Sequence, residues 1–148
     1  MTRVRDIMRP GFLFTVERDT SVIEAVHLMT TYDVGIVSVL DDRRLVGVLS
    51  ERDVVRRVVA CGMSPSGTRA ETVMTTDVIV ADADEDCESA IRRMDAAGIR
   101  HLPVVSDGHV LSMLSIRDLL RVERESSREE LRYLREYLYQ VPSGTASA

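Results

Sequence analysis

Two stretches decide how this sequence is read: Leu45-Val-Gly-Val-Leu-Ser-Glu-Arg-Asp53-Val-Val55 and Val110-Leu-Ser-Met-Leu-Ser-Ile-Arg-Asp118-Leu-Leu120. Each is an apolar run, then Ser-x-Arg-Asp, then a return to apolar residues, and the two Arg-Asp pairs lie 65 residues apart. Working outward, the same offset joins Val34-Gly-Ile-Val-Ser-Val39 to Ile99-Arg-His-Leu-Pro-Val104, and Ala25-Val-His-Leu-Met29 to Ala90-Ile-Arg-Arg-Met94. Asp6-Ile-Met8 pairs with Thr72-Val-Met74 at 66. One register held across three segments, with a fourth displaced by a single residue, identifies a tandem repeat.

Within each copy the pattern is strand, helix, strand, strand, helix. Short β-branched runs at 12–16 and 78–81 predict strands. Residues 21–31 carry Val22, Ala25, Val26 and Met29 at helical spacing, and 88–97 carry Ala90, Ile91 and Met94 likewise, with Gly98 placed as a C-cap. Asp41-Asp-Arg-Arg44 and Ser106-Asp-Gly-His109 predict hairpins, the latter by its Asp-Gly turn. A copy of roughly 60 residues buries too little surface to stand alone. The expected fold is therefore α+β: two βαββα repeats packed sheet to sheet about a pseudo-twofold axis, with two equivalent clefts between them. The expected division is repeat one at 1–62, linker 63–71, repeat two at 72–125, a C-terminal helix at 126–140 and a flexible tail at 141–148. Ser127-Arg-Glu-Glu130 is a capping-box pattern for that helix. Its stripe of Leu131, Leu134 and Leu138, flanked by Tyr133 and Tyr137, fits either packing on its own domain or a dimer contact.

Composition narrows the function classes. With 148 residues, 45% hydrophobic and 29% charged, the chain can build a core and remain in solution. It has no apolar run of the roughly 18 residues a membrane span requires, and residues 1–10 lack the apolar stretch of a signal peptide. Its net charge of −5, 4% aromatics and absence of Trp argue against nucleic-acid binding. Cys61 and Cys87 stand apart with no CxxC pattern, as reduced cytoplasmic thiols do. A cytoplasmic protein is expected.

The Ser50-Glu-Arg-Asp53 and Ser115-Ile-Arg-Asp118 motifs admit two readings. The first is purely structural: Ser-x-x-Asp caps a helix and places an acid in its first turn. The second is functional. A helix start presents unpaired N–H groups that suit phosphate, the Ser hydroxyl adds a donor, and the Asp carboxylate can accept both hydroxyls of a ribose. Apolar strand residues nearby would sandwich a purine. Spacing alone leaves both open.

Together the duplicated elements resemble the CBS (cystathionine-β-synthase) domain pair over residues 4–120, through Val4-Arg-Asp-Ile-Met8, Gly47-Val-Leu-Ser-Glu-Arg-Asp53, Gly98-Ile-Arg-His-Leu-Pro-Val-Val105 and Leu114-Ser-Ile-Arg-Asp118. The resemblance implies a regulatory module, not an enzyme, that binds AMP, ADP, ATP or another adenosyl ligand such as S-adenosylmethionine or NAD, requires no cofactor, and acts on an unknown partner protein in trans, with homodimerisation expected. It also implies the site residues. One cleft would combine Ser50, Arg52 and Asp53 with Asp77, Ile79, Ile99, Arg100 and His101. The other would combine Ser115, Arg117 and Asp118 with Phe12, Phe14, Val34 and Gly35. Because Arg100 and His101 are matched by Gly35 and Ile36, and because Phe12 and Phe14 are bulky, the Asp53 cleft is the expected phosphate site. The alternative function is a ligand-free interaction and dimerisation scaffold.

Other constellations are weaker. Asp82-Ala-Asp-Glu-Asp86 starts like a calcium loop but has Cys87 where Gly is needed and Arg93 where Glu is needed. His27, His101 and His109 share no ligand spacing, so no metal site is expected. No nucleophile–base pairing and no Gly-rich phosphate loop is present.

Overall fold

The computed structural model describes residues 2–9 and 13–146, with side chains described through Tyr137. The chain opens with one helical turn, α1 (Val4–Ile7), followed by β1 (Thr15–Glu17), α2 (Val22–Tyr32), β2 (Ile36–Asp41) and β3 (Arg44–Ser50). A single turn, α3 (Glu51–Asp53), passes directly into a π-helical stretch, Val54–Val59. The second copy repeats the order: α4 (Ala70–Val73), β4 (Ala81–Asp82), α5 (Cys87–Ala97), β5 (His101–Ser106), β6 (His109–Ser115) and α6 (Ile116–Ala146).

Each copy builds a three-stranded sheet in which β1 or β4 lies parallel to the middle strand and the hairpin partner lies antiparallel. The two ladders share even their irregularity, a register shift at Val39/Leu40 in one and at Val104/Val105 in the other. The sheets join where β3 meets β6, at Arg44 opposite His109, so that the strand order β1-β2-β3-β6-β5-β4 reads the same from either edge. That palindrome is the pseudo-twofold relation the repeat predicts. The hairpin turns also correspond: Asp42 and Arg43 have φ of 48° and 72°, and Asp107 and Gly108 have 52° and 79°. Two successive positive φ values match the twist of a two-residue hairpin.

Each core borrows an element from the other copy. Val22, Ala25, Met29, Val37, Val39 and Leu49 of the first copy pack with Ala70 and Val73 of α4. Ala90, Met94, Leu102, Val104 and Leu114 of the second pack with Val4 of α1. Matching backbone bonds fix the exchange: Val4 N–H donates to Glu85 O and Arg5 N–H to Ala83 O, as Ala70 N–H donates to Thr20 O and Glu71 N–H to Arg18 O. Burying each turn's apolar residue in the other copy's core ties the copies together more firmly than a sheet contact alone.

Three expectations are corrected. The strands expected at 12–16 and 78–81 are shorter and start later, because a parallel ladder to the middle strand exists only opposite Ser38–Leu40 and Val104–Val105. The C-terminal helix does not begin near Ser127. It runs unbroken from Ile116, because no Gly or Pro intervenes before Ser127, and a mid-helix Ser costs only a few tenths of a kcal/mol relative to Ala. The tail expected at 141–148 is helical through Ala146, with no described residue of α6 at positive φ. Among the described residues no helix is long and apolar enough to cross a membrane.

Candidate functional site

Both Ser-x-x-Asp motifs sit where an apolar strand turns into a helix, and both are built as reciprocal caps. Ser50 N–H donates to Asp53 Oδ2 at 3.0 Å, and Asp53 N–H donates to Ser50 Oγ at 3.1 Å. In the second copy Asp118 N–H donates to Ser115 Oγ at 3.2 Å, and the Ser115 hydroxyl donates to Asp118 Oδ2 at 3.0 Å. The residue after each Ser is pinned by the neighbouring strand: Glu51 N–H to Gly35 O at 2.9 Å, and Ile116 N–H to Arg100 O at 2.8 Å. The expectation of free amides at these helix starts is therefore corrected. Two of the first-turn N–H groups at each start already have partners inside the protein, which leaves fewer of them for a phosphate.

The two copies then part. In the first, Thr75 crosses the strand–helix junction, exchanging backbone bonds with Val48 at 2.8 and 3.0 Å. Its hydroxyl lies 3.3 Å from both Asp53 carboxylate oxygens. Arg57, carried on the π-helical stretch, donates to Val73 O and Met74 O at 3.0 Å each and sits 3.8 Å from Asp53 Oδ1. Gly47 makes room for this crossing segment. A Cβ there would come within 2.5 Å of Met74 Sδ and 2.9 Å of Thr75 O. Asp53 is consequently buried, with only 9% of its surface exposed.

In the second copy the corresponding places are taken by different residues. Ser112 replaces Gly47 and donates its hydroxyl to Arg9 O at 3.0 Å. Val122 stands where Arg57 does, and Arg9 stands where Thr75 does. Asp118 Oδ1 lies 3.9 Å from Arg121, and the Asp118 side chain keeps 25% of its exposure. In front of it opens a cavity of about 450 Å³ lined by Ser115, Arg117 and Asp118 from one copy and Phe14, Val34 and Gly35 from the other, together with Arg9, Arg100 and His101. That volume lies within the range of small-molecule sites.

The sequence-predicted residues are thus distributed unevenly. Ser115, Arg117, Asp118, Phe14, Val34 and Gly35 come together as expected; Phe12 lies outside the described residues. Arg100 and His101 were expected beside Asp53. They line the Asp118 cavity instead, because β5 begins on the side of the sheet junction from which α6 departs. Phe14 forms a wall of this cavity, its ring 5.4 Å from that of Tyr32. On the other side Arg52 and Asp77 are exposed, while Ile79 and Ile99 pack against the second core. Sequence reasoning missed Arg9, Asp33, Ile36, Met113 and Ile116 as lining residues. The signal for Arg9 was available, since it follows Asp6-Ile-Met8 as Thr75 follows Thr72-Val-Met74.

Charge in the cavity is mixed, with Arg9, Arg100 and Arg117 facing Asp33 and Asp118. Burial pushes the His101 imidazole below its ordinary range, the Asp118 carboxylate pulls the other way, and Arg100 adds to the depression. The result is a neutral imidazole near pH 7, able to donate from one nitrogen and accept at the other. No group of three or more His, Cys, Asp or Glu is placed to hold a metal among the described residues.

The family model for the CBS domain matches twice, over residues 4–60 and 70–125, one match for each copy of the repeat. The chain belongs to the CBS domain family. It is 30% identical to the mitochondrial CBS domain-containing protein CBSX3 of Arabidopsis thaliana, a match covering 93% of this chain and 72% of that protein. It is 31% identical to a putative signal-transduction protein with CBS domains from Burkholderia ambifaria, with a TM-score of 0.76 over 82% of this chain and 93% of that one. The CBS domain pair of protein MJ0100, solved in complex with 5′-methylthioadenosine and S-adenosyl-L-methionine, shares the fold at a TM-score of 0.74 and 24% identity, covering 84% of this chain and 98% of that one.

Proposed function

We propose that this CBS domain pair is a ligand-sensing module that takes one adenine nucleotide, or another adenosyl ligand, at the Asp118 cavity and transmits its occupancy to a partner protein in trans. The observation that carries the reading is the asymmetry of the two carboxylates: Asp53 is covered by Thr75 and Arg57, whereas Asp118 faces a cavity. A carboxylate held in place by its own cap suits a ribose hydroxyl, because Oδ2 stays on Ser115 while Oδ1 can accept without reorganising. Phe14, Val34, Ile36 and Met113 supply apolar surface for a purine. Arg9, Arg100 and His101, which line the same cavity, supply donors for phosphate. The MJ0100 pair, alike in fold, guides the choice of probes. Occupancy shifts the module between states only in so far as the ligand binds one state better.

Calorimetry with AMP, ATP and S-adenosylmethionine tests the reading. A saturable heat with one ligand per chain, lost in Asp118→Ala, supports it; no heat with any of the three at millimolar concentration overturns it. The second reading, a ligand-free scaffold, draws on the closed Asp53 cleft. It requires that Asp118→Ala leave every binding property of the chain unchanged.

A further inference from the structure

We propose that the projecting part of α6 pairs with the same helix of a second copy of this chain as a parallel, in-register coiled coil. From Glu123 to Tyr137 every residue of α6 is exposed; the side carrying Glu123, Ser126, Ser127 and Glu130 borders the groove over α5, and Leu131 and Leu134 lie outside that lining. Fifteen such residues extend about 22 Å. A lone helix of that length is marginal in water. Yet Leu131 and Leu134 are 55% and 54% exposed.

The spacing of these residues is that of a seam. Ser127, Leu131, Leu134, Leu138 and Val141 follow one another at alternating steps of four and three, which places Leu131 and Leu138 at heptad position a and Ser127, Leu134 and Val141 at d. The flanking positions then decide orientation. Glu123 and Glu130 fall at g, Arg128 and Arg135 at e. In a parallel pair each g residue faces the e residue five places on in the other helix, so Glu123 meets Arg128 and Glu130 meets Arg135, each twice by symmetry. An antiparallel pair would set glutamate against glutamate and arginine against arginine. Charge on this helix therefore favours one occupant, its own copy, in one direction.

The test uses the full chain with Cys61→Ser, so that no exposed thiol competes. Ser127→Cys places a thiol at a d position, and mild oxidation should link two chains covalently. Arg132→Cys, at the outward b position, should leave them unlinked. In sedimentation, Leu131→Asp with Leu134→Asp should weaken self-association at least about tenfold, the effect of losing one well-buried anchor. Glu130→Arg should weaken it as well, and Glu130→Arg with Arg135→Glu should restore it. Absence of the Ser127→Cys disulfide overturns the proposal, whether the helix binds another protein, pairs antiparallel or stays alone. Equal cross-linking at Arg132→Cys overturns it too, since the contact would then be collisional. The substituted positions are exposed, but Ser127 and Glu130 border the groove that holds Cys87; non-reducing electrophoresis therefore separates a link between chains from an internal one to Cys87, and thermal denaturation checks that each variant is folded.

Discussion

The hydroxyl of Thr75 stands 3.3 Å from each carboxylate oxygen of Asp53, whereas the repeat places Arg9 at the equivalent position beside Asp118. Two carboxylates related by the repeat have thus taken different work. Asp53 holds a helix start, an arginine and the crossing segment together, while Asp118 closes its own cap and lines the cavity. Asp118→Ala is expected to remove nucleotide binding, with a fall in stability of about 1 kcal/mol for the lost cap. Asp53→Ala is expected to do the reverse: ligand affinity unchanged, and a larger fall of roughly 1–3 kcal/mol, because Thr75 and the Ser50 N–H lose a buried acceptor. Calorimetry and thermal denaturation of the two variants separate the roles. Loss of ligand in Asp53→Ala with binding kept in Asp118→Ala would reverse the assignment.

The turn at Arg43 offers a second check, on stability alone. Arg43 takes φ of 72° and is exposed, while the same turn position in the second copy is Gly108 at 79°. A side-chain-bearing residue in the left-handed region costs roughly 1–2 kcal/mol that glycine does not. Arg43→Gly should therefore stabilise the chain, offset in part by the greater freedom of glycine when unfolded, for a net gain of up to about 1 kcal/mol and a rise in Tm. A lower Tm would mean that the Arg43 side chain contributes something the turn geometry does not reveal.

The repeat was legible because its signals are local and duplicated. The 65-residue offset, the helical spacing of Ala25 and Met29 or Ala90 and Met94, and the Asp-Gly turn at 107–108 each act within a few residues of themselves. What escaped was decided at long range. Whether Asp53 is open depends on Thr75, 22 positions away, and on Arg57 reaching the carbonyls of Val73 and Met74. Neither contact has a periodicity to announce it. The exchange of α1 and α4 between cores is of the same kind: Val4 and Ala70 look like the openings of their own repeats, and only the third dimension shows that each completes the other. Ser127 misled for the opposite reason. Its Ser-x-x-Glu pattern is a valid start signal, but a helix already running from Ile116 had no cause to stop.

His101 gives a prediction in pH. Its imidazole is held below the ordinary range chiefly by burial, with Asp118 opposing and Arg100 assisting. As pH falls through about 6.5 the unfolded chain takes up a proton that the folded chain does not yet accept, so stability declines across that window and levels off once the folded imidazole also titrates. An anionic ligand beside His101 favours the protonated form, so its affinity should rise over the same fall in pH. His101→Gln keeps a hydrogen-bonding side chain without a titrating one, and should flatten both the stability slope and the affinity slope. Calorimetry and denaturation at a series of pH values measure the two effects, and unchanged slopes in the variant would place the titrating group elsewhere.

The two cysteines should separate cleanly by reactivity. Cys61 is exposed, and its thiol sits at the end of the π-helical stretch, 3.5 Å from Arg56 O. Cys87 is buried at the start of α5, on the floor of a groove between α5 and α6 whose sides carry Asp86, Glu88, Glu123 and Glu130. Burial, and then the charge of Asp86, push its thiol up to about 11. The thiolate is the nucleophile, so Cys87 is nearly unreactive at pH 8, and an anionic reagent such as a dithiobis-nitrobenzoate is also repelled by the acidic walls. One fast thiol per folded chain is expected, none in Cys61→Ser, and a second only when the protein is unfolded in denaturant. Two fast thiols in the native chain would show that the groove opens on the timescale of the reaction.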